Sequence, residues 1–396
     1  MGSRGVTSTA QRDPRPPWRP ALSRRLVAVG VGVLLVVTAV VGGRAGLWGL
    51  GGAGRSRPSL VGQGAAQPLP GVRLQGPTGL RLLVASDPTP VVLDVDSGAI
   101  QPVTGLPVDD DRSVHVESEG QDAVVVTRRE CRGSGCDADS FVYLLRQGST
   151  VATRLGAATD VELAGNGQGV WLLGRQGAGH CTLGQVGLDG QPRRPTLPAP
   201  CDTVLIDDLP AGLLVYGTAP ADGGGPYSAL VTAVGAFHRL PRVVDGVADG
   251  NLALSTVERG RLIALTDLRG GVSHQLPWPS ALDDHVMGLI DGHPDGRLAS
   301  VAFYPARNGA EQTLDIWLLD LVTRRWQQLP DMPLRLAPSK PQLRWTADGR
   351  LLLLAGLPGE PASVIAMWRP GQQRIATRRV QLPNPDRRSG YRFAIW

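Results

Sequence analysis

Residues 293–330 read HPDGRLASVAFYPARNGAEQTLDIWLLDLVTRRWQQLP, and the architecture can be built from this stretch. Asp295-Gly296 is a tight-turn signal, because glycine accepts positive φ and the aspartate carboxylate caps its own turn. Two short apolar runs follow, Leu298 to Phe303 and Leu314 to Leu321, each strand-like and bounded by turn residues. Leu329-Pro330 closes the unit. Proline cannot donate to a sheet ladder, so the stretch predicts a β-unit whose last strand lies at an edge.

The same ending recurs along the chain. Leu-Pro stands at Leu106-Pro107, Leu197-Pro198, Leu240-Pro241, Leu276-Pro277, Leu329-Pro330 and Leu382-Pro383, with Leu155-Gly156 filling the one gap. The seven Leu positions are 49, 42, 43, 36, 53 and 53 residues apart, a period that indicates a propeller or a solenoid. Each interval holds paired apolar runs of strand length, such as Leu82 to Ala85 with Val91 to Val95, or Leu351 to Ala355 with Val364 to Trp368. No amphipathic helix follows residue 43, which excludes helical solenoids. The expected fold is all-β: a seven-bladed propeller of four-stranded blades over residues 71–396, preceded by one transmembrane α-helix.

Closure of the ring is also legible. Asp386-Arg387-Arg388-Ser389-Gly390-Tyr391 follows the last marker as Asp111-Arg112-Ser113-Val114 follows the first, and the latter opens an inner strand. Tyr391 to Trp396 is therefore expected to supply the inner strand of the first blade. Val72 to Leu74 is the alternative donor.

The units His293-Pro294-Asp295-Gly296-Arg297-Leu298 and Thr346-Ala347-Asp348-Gly349-Arg350-Leu351, with Asp315-Ile316-Trp317-Leu318-Leu319-Asp320, resemble the Pro-Asp-Gly repeats of TolB-like and related WD-like bacterial propellers. The resemblance is weaker at Ala248-Asp249-Gly250 and at Asp94 to Gly98, and begins near Leu80. It implies a non-catalytic scaffold for protein or ligand binding. The chain departs from the soluble periplasmic members in its N-terminal apolar segment.

That segment, Leu26 to Gly43, is 18 uncharged residues, enough to cross a bilayer core at about 1.5 Å per residue. Six Arg precede it within residues 1–25, so the positive-inside rule places the leader in the cytoplasm and everything after residue 43 outside. A cleaved signal peptide is the competing reading. Residues 44–70, rich in Gly and Arg, read as a flexible tether. Four cysteines form two close pairs, Cys131 with Cys136 and Cys181 with Cys201, which in an exported chain favours disulfides over a zinc site.

Charge agrees with this layout. The formal net charge is +5, yet residues 1–57 carry nine Arg against one acid, and residues 58–373 carry 25 bases against 33 acids. An acidic folded body disfavours nucleic acid as a partner.

Nucleophile-elbow, zinc-protease, phosphate-loop and dinucleotide motifs are absent from the sequence, which argues against an enzyme. One recurrence stands out: acids at the blade junctions, Asp110 and Asp111, Asp160, Asp202, Asp245, Asp283 and Asp284, and Asp386 at the closing join. They are candidates for a negative rim at the channel mouth that attracts a divalent cation or a basic segment of a partner. The plainer reading is that Asp suits strand entry. The expected function is a membrane-anchored, extracytoplasmic and monomeric binding module for a protein or cell-envelope ligand. The alternative is a propeller hydrolase or lyase acting on envelope glycans through paired carboxylates.

Overall fold

Runs such as Leu82-Leu83-Val84-Ala85 lack the polar alternation of a one-sided sheet, because each blade is covered on both faces by its neighbours. The computed structural model describes residues 69–107, 112–119, 122–129, 140–176, 180–218, 225–257, 261–282, 284–306, 312–337, 341–384 and 390–396. These residues form seven antiparallel sheets, the seven blades.

Blade 1 joins Phe393–Ile395, Arg81–Val84, Val91–Asp94 and Ile100–Pro102, from channel to rim. Blade 2 runs through Arg112–Glu119, Asp122–Arg129, Ser140–Leu145 and Thr153–Ala158. Blade 3 comprises Asp160–Leu163, Gly169–Arg175, Cys181–Gly187 and Leu197–Ala199; blade 4, Thr203–Leu209, Gly212–Gly217, Tyr227–Val231 and Phe237–Arg239. Blade 5 comprises Gly246–Asp249, Leu252–Val257, Leu262–Asp267 and Ser273–Pro277. In blade 6 the strands are His285–Gly292, Leu298–Pro305, Gln312–Asp320 and Arg325–Gln328; in blade 7, Gln342–Trp345, Leu351–Gly356, Ser363–Trp368 and Ala376–Val380. Every Leu-Pro marker falls in or within four residues of an outer strand, where the missing N–H does no harm.

The ring closes as the sequence suggests. Phe393, Ala394 and Ile395 pair with Val84, Leu83 and Leu82. Val72–Arg73 does not compete for that place: it lies parallel to Ala376–Thr377 as a fifth, outermost strand of blade 7. A second addition, Leu334–Leu336, pairs with residues 312–314 on blade 6.

No single core exists. Seven hydrophobic clusters each fill one seam between adjacent blades. Strand alternation divides the side chains: Leu82 and Val84 pack toward blade 7, Leu83 and Ala85 toward blade 2. The tryptophans serve these seams, with Trp345 edge-on to Trp368 at 6.3 Å and to His293 at 4.5 Å. Cys181 and Cys201 are disulfide-bonded beside the seam of blades 3 and 4. Cys131 and Cys136 lie outside the described residues.

Chain direction distinguishes two ends of the ring. Each inner strand begins at the junction from the previous blade, so junctions share one face. The turns from inner to second strand and from third to outer strand share the other. At the inner turns Gly296 and Gly349 take φ of 70° and 76°, as the Asp-Gly signals require. Asp94 to Gly98, by contrast, forms a third-to-outer turn. Residues 1–68, and with them the helix expected over 26–43, lie outside the described residues; among the described residues no helix is long and apolar enough to cross a membrane.

Candidate functional site

Four of the junction acids, Asp160, Asp202, Asp245 and Asp284, lie among the described residues, at or just before the heads of inner strands, and the first three engage their carboxylates within the fold. Asp160 receives the backbone N–H of Leu205 on the next blade at 2.7 Å and the Arg128 guanidinium at 3.0 Å. Asp202 accepts from the Thr218 hydroxyl at 3.3 Å, and Asp245 from the Thr256 N–H at 2.5 Å. Asp284 accepts the Ala306 N–H through its carbonyl. Among the described residues no hydrogen bond or ion pair joins one of these four acids to another. Asp110, Asp111, Asp283 and Asp386 lie outside the described residues. Among the described residues no group of three His, Cys, Asp or Glu side chains is placed to hold a metal ion.

A different set of polar side chains converges further along the inner strands. In blade 2 the seam takes Val114 and Val116, leaving His115 and Glu117 to face the channel. In blade 3 Val161 and Leu163 pack on the seam, leaving Asp160 and Glu162. Blade 4 breaks the alternation: a bulge between Leu205 and Asp207 adds Ile206 and re-aims the strand, so that Asp207 joins the channel set. Asp291 of blade 6 and Arg344 of blade 7 approach to 3.5 Å, and the Trp345 N–H donates to Asp291 at 2.5 Å.

Around the Arg344 guanidinium stand Asp291, Glu117, Glu162 and Asp207, drawn from four blades. Burial works against its charge, but these carboxylates prevail and keep Arg344 a cation. One guanidinium cannot serve four acids equally. Burial, compounded by the charges of Glu117 and Asp207, pushes the Glu162 carboxyl well above its ordinary range. Burial likewise pushes Asp207 up to about 6, with Glu117 adding repulsion against the pull of Arg344. Asp291 and Asp160 are raised for the same first reason, offset in part by Arg344 and the Leu205 N–H respectively.

His115 belongs to a third arrangement. Arg392, from the closing strand, donates to its Nδ1, and its Nε2 faces the Glu117 carboxylate. Both ring nitrogens are committed: Nδ1 accepts, so the proton sits on Nε2. Burial and the Arg392 charge hold the imidazole pKa down. For Glu117, burial opposes ionisation, while the His115 contact, Arg344 and Arg392 outweigh it. Both ring nitrogens are thus engaged within the protein, and the Glu117 carboxyl is held below its ordinary range.

None of Glu117, Glu162, Asp207, Asp291 or Arg344 is a junction residue. The sequence signal they left was polar alternation inside inner strands, as in His115-Val116-Glu117 and Asp160-Val161-Glu162. Arg128 pairs with Asp160 across blades.

No family model matches the sequence, and neither does any curated protein. Solved structures with similar folds exist. The prolyl endopeptidases share 12% identity with 79% of this chain, over 50% of their own length, at a TM-score of 0.51. A Lactobacillus plantarum protein shares 13% over 80% of this chain and 99% of its own, at 0.49. The β-propeller domain of the trilobed protease from Pyrococcus furiosus shares 12% over 80% and 97%, at 0.43. The likeness is one of fold.

Proposed function

We propose that the chain is a single-pass, membrane-anchored propeller that stands outside the cytoplasm and binds, without catalysis, a cationic group of a protein or cell-envelope ligand in its channel. The observation that carries this reading is the surplus of Glu117, Glu162, Asp207 and Asp291 over Arg344 and Arg392: four acids stand against two guanidinium groups. A bound cation relieves the repulsion that raises Glu162 and Asp207. The Cys181–Cys201 disulfide suits an oxidising compartment, the Arg-rich leader suits an anchor, and the TolB-like Pro-Asp-Gly units suit a binding scaffold working as a monomer. The test is calorimetry of the full chain with spermidine and with a short arginine peptide. Binding by at least one, weakened roughly 10-fold or more in Glu162→Gln with Asp207→Asn, is expected, since a charge-assisted hydrogen bond is worth about 1.5–3 kcal/mol. Absence of heat with both probes, or equal heat in the variant, overturns the reading.

A second reading rests on one specific observation. A carboxyl raised well above its ordinary range next to one held below it, here Glu162 and Glu117, is the kind of pairing that glycoside cleavage uses as acid and base. Release of reducing ends from purified envelope polysaccharide, abolished by Glu162→Gln, would establish that activity in place of simple binding.

A further inference from the structure

The turn face has a composition of its own. Among the described residues six large apolar side chains are markedly exposed, and four of them, Val151, Val234, Val272 and Val322, lie in third-to-outer turns of blades 2, 4, 5 and 6. Valine in a solvent-facing turn leaves apolar surface uncovered, and four in corresponding turns of a ring put it on one face.

The same turns carry exposed arginines, and one is held against conformational preference. In six blades the third-to-outer turn contains a glycine at positive φ: Gly98, Gly148, Gly190, Gly235, Gly271 and Gly371. In blade 6 the residue there is Arg324, at φ 57°. The equivalence is exact in hydrogen bonding, since the N–H of Gly98, Gly271 and Arg324 each returns to the carbonyl of the aspartate four residues earlier, Asp94, Asp267 and Asp320. A non-glycine residue in the left-handed region is disfavoured, and such outliers collect where function retains them. Here the outlier is an exposed arginine in the turn that carries Val322, next to the exposed Arg325, as exposed Arg269 shares its turn with Val272.

The N-terminal chain enters the fold at this same ring of turns. Val72 pairs parallel to Ala376, so residues 69–71 run to the side of the blade 7 turn, where Arg374 donates to the Gly71 carbonyl at 3.2 Å and the Val72 N–H bonds the Ile375 carbonyl. Residues 44–68 separate that entry from the apolar segment over 26–43. A flexible chain of 25 residues has a typical end-to-end distance of about 25–30 Å. The tether therefore holds the turn face at high effective concentration over the bilayer surface.

We propose that the turn face of blades 4 to 6 lies against the anionic bilayer in which the chain is anchored, its valine tips at the headgroup level and Arg269, Arg324 and Arg325 on lipid phosphates. The junction face, and with it the channel mouth, is then presented away from the membrane. This rests on the anchoring reading above and adds an orientation to it. Valine tips contribute apolar burial and each arginine contributes about 1 kcal/mol of attraction to anionic lipid, about fivefold in the docked population.

The test uses the full chain reconstituted in phosphatidylglycerol–phosphatidylcholine vesicles. An environment-sensitive label is placed at Val272→Cys, at Val322→Cys and, as the opposite-face control, at exposed Val286→Cys, with the labelled parent chain as background. Quenching by headgroup-level nitroxide lipid is expected at 272 and 322 and not at 286. Arg324→Gly, which suits the turn better and therefore folds, should reduce the docked population about fivefold, and pure phosphatidylcholine should reduce it further. Equal quenching at all three positions, or none, in a chain that stays with the vesicles overturns the orientation and leaves the anchor standing. Protection at 272 and 322 that persists in detergent without lipid marks a second copy of the chain and also overturns it. A chain that leaves the vesicles overturns the anchoring reading together with this one.

Discussion

Arg392 of the closing strand donates to Nδ1 of His115 on the neighbouring blade, so a charged side chain from residue 392 fixes the tautomer of a ring 277 positions earlier. The pair ties the two inner strands flanking the ring's join. It also makes protonation of His115 costly, because an imidazolium would face the guanidinium directly.

His115 has a lowered folded pKa, so its contribution to stability is fully present above about 6.5, its unfolded value, and is lost as pH falls through the folded value. Urea unfolding of the parent and of His115→Asn, compared from pH 7.5 down to pH 4.5, should show the parent losing more stability across that window. Parallel curves would contradict the assignment.

Asp207 has the opposite sign. Its folded pKa of about 6 lies above the unfolded value, so protonation favours the folded state and ionisation works against it as pH rises through that window. Asp207→Asn is expected to stabilise the protein at pH 8 by on the order of 1–2 kcal/mol and to be near neutral below about pH 4. Denaturant midpoints at the two pH values decide this. A destabilised variant at pH 8 would show that the carboxylate makes a structural bond.

The Cys181–Cys201 bridge spans a sequence separation of 20 and ties blade 3 to the start of blade 4. Closing a loop of that size stabilises by about 3 kcal/mol through the unfolded chain. The double Ala variant should lose about that amount in non-reducing denaturant titrations, and an unchanged midpoint would argue that the unfolded chain is already compact there.

Arg324 occupies a left-handed turn position that six other blades give to glycine. Arg324→Gly should raise stability by about 1 kcal/mol, the cost of a side chain in that region. Thermal unfolding checks it. A loss of stability would mean that the guanidinium makes contacts within the folded protein.

Much of this architecture is local and could be read in advance. Leu-Pro at the rim and Asp-Gly at the inner turns depend on one or two residues each. The likeness of Asp386-Arg387-Arg388-Ser389 to Asp111-Arg112-Ser113 placed the closing strand correctly, because both sit at the same point of the repeat. The channel set was not legible in that way. Arg344 and Asp291 are 53 positions apart and meet only when blades 6 and 7 are adjacent around a closed ring. Asp207 reaches its place through the bulge at Ile206, which breaks the period of two that a strand reading relies on. The junction acids were conspicuous because they cluster in sequence. In three dimensions Asp160 and Asp245 are occupied by the backbone.

Pairing of Leu83 with Ala394 spans 311 positions. A chain delivered N-terminus first must therefore hold Arg81–Val84 as an uncapped strand, with Leu82 and Leu83 uncovered, until Phe393–Ile395 arrives after the other six blades. An open sheet edge of that composition is a template for strands of other molecules. The interval between the emergence of these two segments is the period in which the growing chain is most exposed to self-association, and a long pause in synthesis before residue 393 lengthens it.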